Sequence, residues 1–434
     1  MSTILRLELE SDTPIFLGSF DTQSHEWDLF RTQSLKGLWR WWLRAYILGA
    51  LYRAGYLGYR LSHKRLAELN RKVLNTINCL TSNILGGTNQ ASKIVLKATI
   101  KKYPYRPISS CPSYGDPHCN LQRVRLLTVG GRRVNYITGE TLEVELSLRP
   151  GVRLSHDEQI LAIGSLLTAL TLNGIGKMGR RGVGTFTVRV VHSLDLPRDW
   201  VKAGTINLDN LQHIIRSTMK IADEYVLSSK CIKDLPKVNY PSDLPPCDLI
   251  SDNFVDISGI KVDIKKEIEV PNTHPSLSIV RNNRMPIFAI YEVRWSGKVI
   301  SHVLRELQDF FYRPGRIKNL YGGANTPYGH WQCYISSNKL SWFLGLPRNQ
   351  KGTGYNVQDI ERRASPIHLA VHRDRAYFTI FLSLDWPTQI VWTGAGSRTI
   401  NINRDEIIST SMRVLAYLET YLRKLGYNFK VIFP

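Results

Sequence analysis

Between Thr32 and Ala50 the chain reads TQSLKGLWRWWLRAYILGA, and this stretch narrows the possible folds more than any other. Leu35, Leu38, Trp39, Trp42, Leu43, Tyr46, Ile47 and Ala50 recur at helical spacing and make one broad apolar face. Such a face belongs against a core. Thr32 or Ser34 can supply the capping oxygen for the first free backbone N–H groups. The opposite face repeats Lys36, Arg40 and Arg44 every four residues, with Gly37 and Trp41 between them and Arg31 just ahead. No acidic residue is placed to pair with this row along the helix. A bare cationic row with an indole beside it suits phosphates and an unstacked base.

The charge distribution points the same way. The 434 residues hold 57 Lys and Arg against 36 Asp and Glu, a net charge of +21. From Arg31 to Val190 the count is 25 against 7, so this region alone carries +18. No Asp or Glu lies between Leu29 and Ala67, or between Asn70 and Gly115. Solvated surfaces interleave both signs. A one-sign stretch this long is expected to meet a polyanion.

The N-terminus lacks a basic segment followed by an apolar core, and no apolar run reaches membrane-spanning length. A soluble, cytoplasmic protein is the expectation. Six cysteines (79, 111, 119, 231, 247 and 333) are scattered, which predicts no disulfide framework. Cys111, His118 and Cys119 share a Pro/Gly-rich loop but lack a C-x-x-C clamp and a clear fourth ligand, so an ordinary loop is expected there rather than zinc.

Hydrophobic patterning orders the first part of the chain. Ile4–Leu9 alternates like a half-buried strand and leads to the basic helix; Lys64–Leu80 reads as a second helix. Strands are predicted at 93–101, 122–129 and 142–148, a helix at 155–173 with a Ser155/Glu158 capping box, and a closing strand at 185–191. That order is a split βαβ, or ferredoxin-like, arrangement. The same scaffold underlies the RNA-recognition motif, whose open sheet face binds single strands, although its aromatic signatures are not evident here. From Leu194 to Pro275 a balanced, Pro-containing stretch with a helix near 208–228 reads as a connector. After Pro286 the order recurs: a strand at 287–295, a helix at 298–312, a hairpin at 367–384, a helix at 405–425 and a strand at 429–433. A Gly-rich stretch, Asn319–Asn325, lies between that helix and the hairpin.

The most specific motif is NGIGKMGRRGVG, Asn173 to Gly184, between a helix and a strand. Glycines permit positive φ and close backbone approach, and their N–H groups can form an anion nest. Lys177, Arg180 and Arg181 add charge. A P-loop needs Gly-Lys-Ser/Thr before a helix, and a dinucleotide fingerprint needs strand-to-helix order. This loop has neither, which leaves an RNA backbone clamp or a tight connection.

These segments resemble the RAMP superfamily of CRISPR-associated RNA-binding proteins, whose mark is a C-terminal glycine-rich loop on a ferredoxin-like fold, matched here by NGIGKMGRRGVGTF. TPIFLG, RTQSLKGLWRWWLRA, ILGGTNQASKIVLK and the loop follow in the order and spacing of the first RAMP subunit of the type III-B (Cmr) effector complex, over residues 1–190. The later segment RRASPIH, 362–368, is compatible with that subunit's second domain. The resemblance implies an α+β chain of two tandem ferredoxin-like RAMP domains, 1–193 and 276–434, joined by a helical connector, 194–275. It implies a non-catalytic subunit at the head of a ribonucleoprotein, near the 3′ end of the CRISPR RNA. There it would hold guide and target RNA beside other RAMP subunits, with no cofactor and no metal. The implied RNA-binding residues are Arg31, Ser34, Lys36, Arg40, Trp41, Arg44, Ser92, Lys93, Gly174, Gly176, Lys177, Arg180, Arg181 and Gly182. Met178 and Val183 depart from the small or aromatic residues expected in the loop.

Some RAMP relatives cut CRISPR RNA precursors, so an endoribonuclease is the alternative. Metal-independent cleavage needs a base near the 2′-OH, often His. His25, ahead of the basic helix, is the best placed, over His63 and His118; Asp12, Asp21, Glu26 and Asp28 form no ligand pattern and read as turn and cap residues. His368 and His372 flank a predicted strand start and read as a polar strand face.

Overall fold

The computed structural model describes residues 2–16, 32–57, 63–100, 109–111, 118–119, 121, 124, 128, 134–238, 243–260, 277–311, 340–345, 348–350, 353–356, 364–393 and 398–434. His25, Arg31 and the stretch 319–325 lie outside the described residues. The fold is mixed α+β.

The first unit runs β1 (Thr3–Ser11), α1 (Thr32–Arg53), α2 (His63–Leu85), β2 (Ile94–Ile100), β3 (Thr141–Leu148), α3 (His156–Leu172) and β4 (Phe186–Ser193). The strands stand in the order β2-β3-β1-β4, each antiparallel to its neighbour. Alternation in β1 sends Leu5, Leu7 and Leu9 into the core and leaves Arg6, Glu8 and Glu10 half-buried on the other face. There Arg6 stands opposite Glu145, and Glu8 is flanked by Glu143 and Arg189. The face that RNA-recognition motifs line with aromatic rings is therefore built from charged side chains. Of Gln122–Val129, where a strand was expected, only Val124 and Thr128 are described, and Thr128 N–H donates to the Val124 carbonyl at 3.0 Å.

Residues 201–228, within the stretch 194–275, are packed onto this unit. Short strands at Thr205–Ile206 and Val201–Lys202 extend its sheet beyond β4. Helix α4 (Leu211–Ser228) lies on α1 and α3, where Arg53 of α1 pairs with Asp223 at 2.7 Å.

The second unit runs β5 (Phe288–Arg294), α5 (Ile300–Asp309), β6 (Ile367–Val371), β7 (Arg375–Phe381), α6 (Arg404–Lys424) and β8 (Asn428–Phe433), with sheet order β6-β7-β5-β8. A second sheet of four short strands, Arg348–Gln350, Thr353–Asn356, Gln389–Thr393 and Arg398–Asn401, was not predicted.

Every residue of β6 and β7 is buried, so this sheet is covered on both faces. Helices α5 and α6 cover one: Tyr291 of β5 donates to Glu419 of α6 at 2.8 Å, and Phe310, just past α5, packs on Phe378. Helices α1 and α3 of the first unit cover the other. Trp41 and Trp42 meet Phe381 there, and His368 Nδ1 lies 3.2 Å from Oδ1 of Asn173, the C-cap of α3. Helix α3 is buried at every position from Gln159 to Leu172, as a helix caught between two sheets must be. Its start is held by the predicted capping box, with Ser155 Oγ accepting from Glu158 N–H at 3.1 Å and Glu158 Oε2 from Ser155 N–H at 3.0 Å.

The junction between the units is rich in polar contacts. Asp12 takes Arg373 Nε at 3.1 Å and lies 3.2 Å from His372 Nδ1. Asp209, just before α4, accepts from Arg375 at 2.8 Å and from Arg294 at 2.9 Å. Asp12 is therefore a turn residue, as expected, and also a fastener.

The cysteine expectation is corrected. Cys79 is bonded to Cys231, tying α2 to the chain just after α4, and Cys111 is bonded to Cys119. Spacing along the chain cannot show which thiols a fold brings together. The second pairing removes both thiolates from any zinc set at that loop, where His118 packs on the Tyr136 ring.

Candidate nucleic-acid interface

Helix α1 is fastened from behind. Trp39 Nε1 donates to the Ala162 carbonyl at 2.8 Å, and Tyr46 shares a hydrogen bond with Thr168 at 2.8 Å, both on α3. The cationic row consequently faces α2 and the turn after it. Its three members do different things. Arg40 donates to the Leu85 carbonyl at 2.9 Å and to the Gly86 carbonyl, satisfying the free C-terminal end of α2. Arg44 donates to Asn78 Oδ1 at 3.2 Å from an exposed position. Lys36 has no carboxylate within pairing distance among the described residues. Partial burial pushes its amine pKa down, and the neighbouring Arg40 and Arg149 push it further.

Lys36, Gly37, Arg40 and Gln33 form one wall of a cleft of about 350 Å³, and residues 85–87 and 90–92 form the other. Nothing lies within 4 Å of where a Gly37 Cβ would sit, so the helix backbone is open to the cleft. Ser34 is exposed on the first turn of the same helix. Two predicted members turn away. The Ser92 hydroxyl donates to the Ile94 carbonyl at 2.7 Å, and Lys93 is paired with Glu158 at 2.6 Å.

Much of the glycine-rich loop's backbone is engaged within the protein rather than turned outward as an anion nest would be. Gly174 N–H donates to the Gly179 carbonyl (2.8 Å), Ile175 to Gly184 (2.8 Å), Lys177 to Phe16 (3.0 Å), Gly182 to Leu369 (2.7 Å) and Gly184 to Pro14 (3.0 Å). These donors all point at protein carbonyls. The loop runs alongside β6, bridging it through Arg181 and Leu369. Arg181 donates to the carbonyls of Ile367 (3.0 Å) and Leu344 (3.2 Å) and lies over the Phe311 ring at 3.9 Å. Arg180 lies over Trp41 at 5.1 Å, and Trp41 is wedged edge-on against Phe381. Trp41, Arg180, Arg181 and Gly182 thus meet at the junction of the two units, and Trp41 is not a free platform for a base. Gly176 is exposed at the tip with φ +94°. Beside it Lys177 is half-buried, its amine pKa lowered by burial.

His368 and His372 are 0% and 2% exposed. His372 Nε2 lies 2.8 Å from the Thr171 carbonyl, with Asp12 at its other nitrogen. Both imidazoles are part of the junction, out of reach of a polynucleotide. Arg373, Arg375 and Asp209 were missed by sequence reading, because nothing in their local pattern marks them as partners.

Residues 8–187 match the family model of the RAMP superfamily. That match falls within the N-terminal unit and covers less than half of the chain. Over 209 residues, 43% of this chain and 96% of the relative, it is 26% identical to CRISPR system Cmr subunit Cmr1-2 of Pyrococcus furiosus. The fold resembles a chain in the cryo-EM structure of the type III-B Cmr-beta bound to cognate target RNA and AMPPnP in the presence of ssDNA. That match has a TM-score of 0.54 at 13% identity, covering 97% of this chain and 100% of the other. A chain of Cmr-beta bound to cognate target RNA matches with a TM-score of 0.50 at 12% identity and the same coverage. At these identities the likeness concerns the fold alone, over nearly the whole chain.

Proposed function

We propose that this RAMP protein is a subunit of a type III-B CRISPR ribonucleoprotein that holds single-stranded guide and target RNA without cutting it. In this reading its two βαββαβ units are tandem ferredoxin-like RAMP domains, 1–193 and 276–434. Residues 194–275 brace the first, and the chain sits at the head of the assembly near the CRISPR RNA 3′ end, beside other RAMP subunits. The relationship to Cmr1-2 supports the assembly.

One observation carries the RNA-holding role. Lys36 is half-buried under the influence of Arg40 and Arg149, with no carboxylate to balance it among the described residues, at the wall of an open cleft. Such a site is electrostatically incomplete until an anion enters. Neither sheet competes for the role, because the second is covered on both faces and the open face of the first is lined by charged side chains. The RNA-facing set then centres on Ser34, Lys36 and Arg44, with Lys177 at the loop tip. Arg40 shapes the cleft by holding the end of α2.

Fluorescence anisotropy with labelled single-stranded RNA over a salt series tests the reading. The double variant Lys36→Gln/Arg44→Gln should bind more weakly. Its log–log salt slope should be shallower by about 1.4, since each phosphate left unneutralised on a single strand removes about 0.7. An unchanged slope would show that these cations face elsewhere. Specific cuts in the RNA that vanish in His25→Ala would overturn the non-catalytic role.

A further inference from the structure

The cleft opens onto a second basic feature that the resemblance did not include. Helices α1 and α2 lie antiparallel in register: Arg40 reaches the end of α2 at Leu85 and Gly86, and Arg44, one turn on, reaches Asn78. Val73, Thr76, Ile77 and Leu80 bury the inner face of α2. Its outer face presents Arg71, Asn75 and Asn78 at i, i+4 and i+7, all exposed. Leu74 stands among them at 58% exposure, one of the few large apolar side chains left in solvent among the described residues. No Asp or Glu occurs between Leu69 and Gly115, so nothing on this helix beyond Glu68 opposes an anion.

We propose that the outer faces of α1 and α2 form a track for single-stranded RNA leaving the cleft. Lys36 takes a phosphate in the cleft, Arg44 the next, and Arg71 one further along. Lys36 and Arg44, eight residues apart, are separated by a rise of about 12 Å along α1, which lays the cations out in sequence. The Asn75 and Asn78 amides can both donate and accept, as ribose 2′-hydroxyls require. Leu74 gives an apolar surface under a base. Charge favours RNA over a protein partner, as does continuity with the cleft through the Arg44–Asn78 hydrogen bond.

This inference rests on the RNA-holding role, and the experiment separates the two. Arg71→Glu and Leu74→Glu are exposed changes; circular dichroism melts should match the parent. Binding of a long single-stranded RNA should weaken by about tenfold in Arg71→Glu, with the salt slope shallower by about 0.7, the share of one phosphate. A short oligonucleotide that fills only the cleft should bind the variant as it binds the parent. If Lys36→Gln weakens both RNAs while Arg71→Glu and Leu74→Glu weaken neither, the track is wrong and the cleft stands. If none of the three matters, both readings fall. Loss of co-purifying protein subunits from Leu74→Glu, with RNA affinity unchanged, would reassign the face to a protein partner.

Discussion

Replacing Gly182 with Ala tests whether the glycine-rich loop is a junction element. Gly182 has φ +78° and donates its N–H to the Leu369 carbonyl of β6 at 2.7 Å. Placing an L-residue in that left-handed conformation costs on the order of 1 kcal/mol. A Cβ there would also lie 2.8 Å from Val371 Cγ2, 3.0 Å from Leu304 Cδ1 and 3.2 Å from Leu369 Cδ2, all methyl groups of the second unit. Forcing a methyl into such packing costs a further 1–3 kcal/mol or so. The reduced freedom of the unfolded chain returns roughly 0.4–1 kcal/mol, leaving a net loss of about 1–3.5 kcal/mol. Gly204 is an internal control, because it has φ +76° and nothing within 4 Å of its Cβ position. Gly204→Ala should therefore show the backbone cost alone. Urea unfolding of the two variants measures the difference directly. Equal losses would mean that the second unit does not press on Gly182. An undisturbed midpoint for Gly182→Ala, together with abolished RNA binding, would return the loop to the role of a clamp.

Lys36→Gln should leave the melting temperature unchanged or slightly raised while weakening RNA binding, because it removes a cation that burial, Arg40 and Arg149 all disfavour; a clear drop in melting temperature would show that Lys36 stabilises the fold. Hydrogen bonding by Arg375, aided by Arg294, holds the Asp209 carboxyl at about 2, below the usual carboxylate value. A depressed carboxylate stabilises the fold above its unfolded pKa and loses that contribution as pH falls through the folded value. Stability should therefore fall between about pH 4 and pH 2 by more in the parent than in Asp209→Asn, and parallel profiles would refute the pairing. Cys79→Ser, or reduction of the parent, should cost about 2–4 kcal/mol by freeing the end of α2 from the chain after α4. A melt indifferent to reductant would show that the bond contributes nothing.

Local pattern was a good guide wherever a short-range rule decided the outcome. The apolar stripe of α1, the capping box at Ser155 and Glu158, and the alternation in β1 act within a few residues of each other, and each appears where the sequence places it. The repeated strand-helix-strand-strand-helix-strand order was legible for the same reason. Reading failed where one residue answers two demands. Arg40 belongs to an unpaired cationic row by spacing, yet its guanidinium closes α2 some 45 residues away. Arg180 and Arg181 look like phosphate ligands by composition, but Arg180 lies over Trp41 of its own unit, and a ring and carbonyls of the other unit engage Arg181.

By itself the sequence determined that this chain is mixed α+β and carries an excess of positive charge it cannot neutralise locally. Periodicity and net charge are properties of the chain, independent of how distant parts meet. Only the tertiary structure decided which cations stay available to a polyanion. By laying α1 and α3 against the second sheet, it drew Trp41, Arg181 and the Gly182 N–H group into the junction and left Lys36 and Arg44 facing outward. Desolvated donors and rings must find partners, and long-range packing alone decides which ones are within reach.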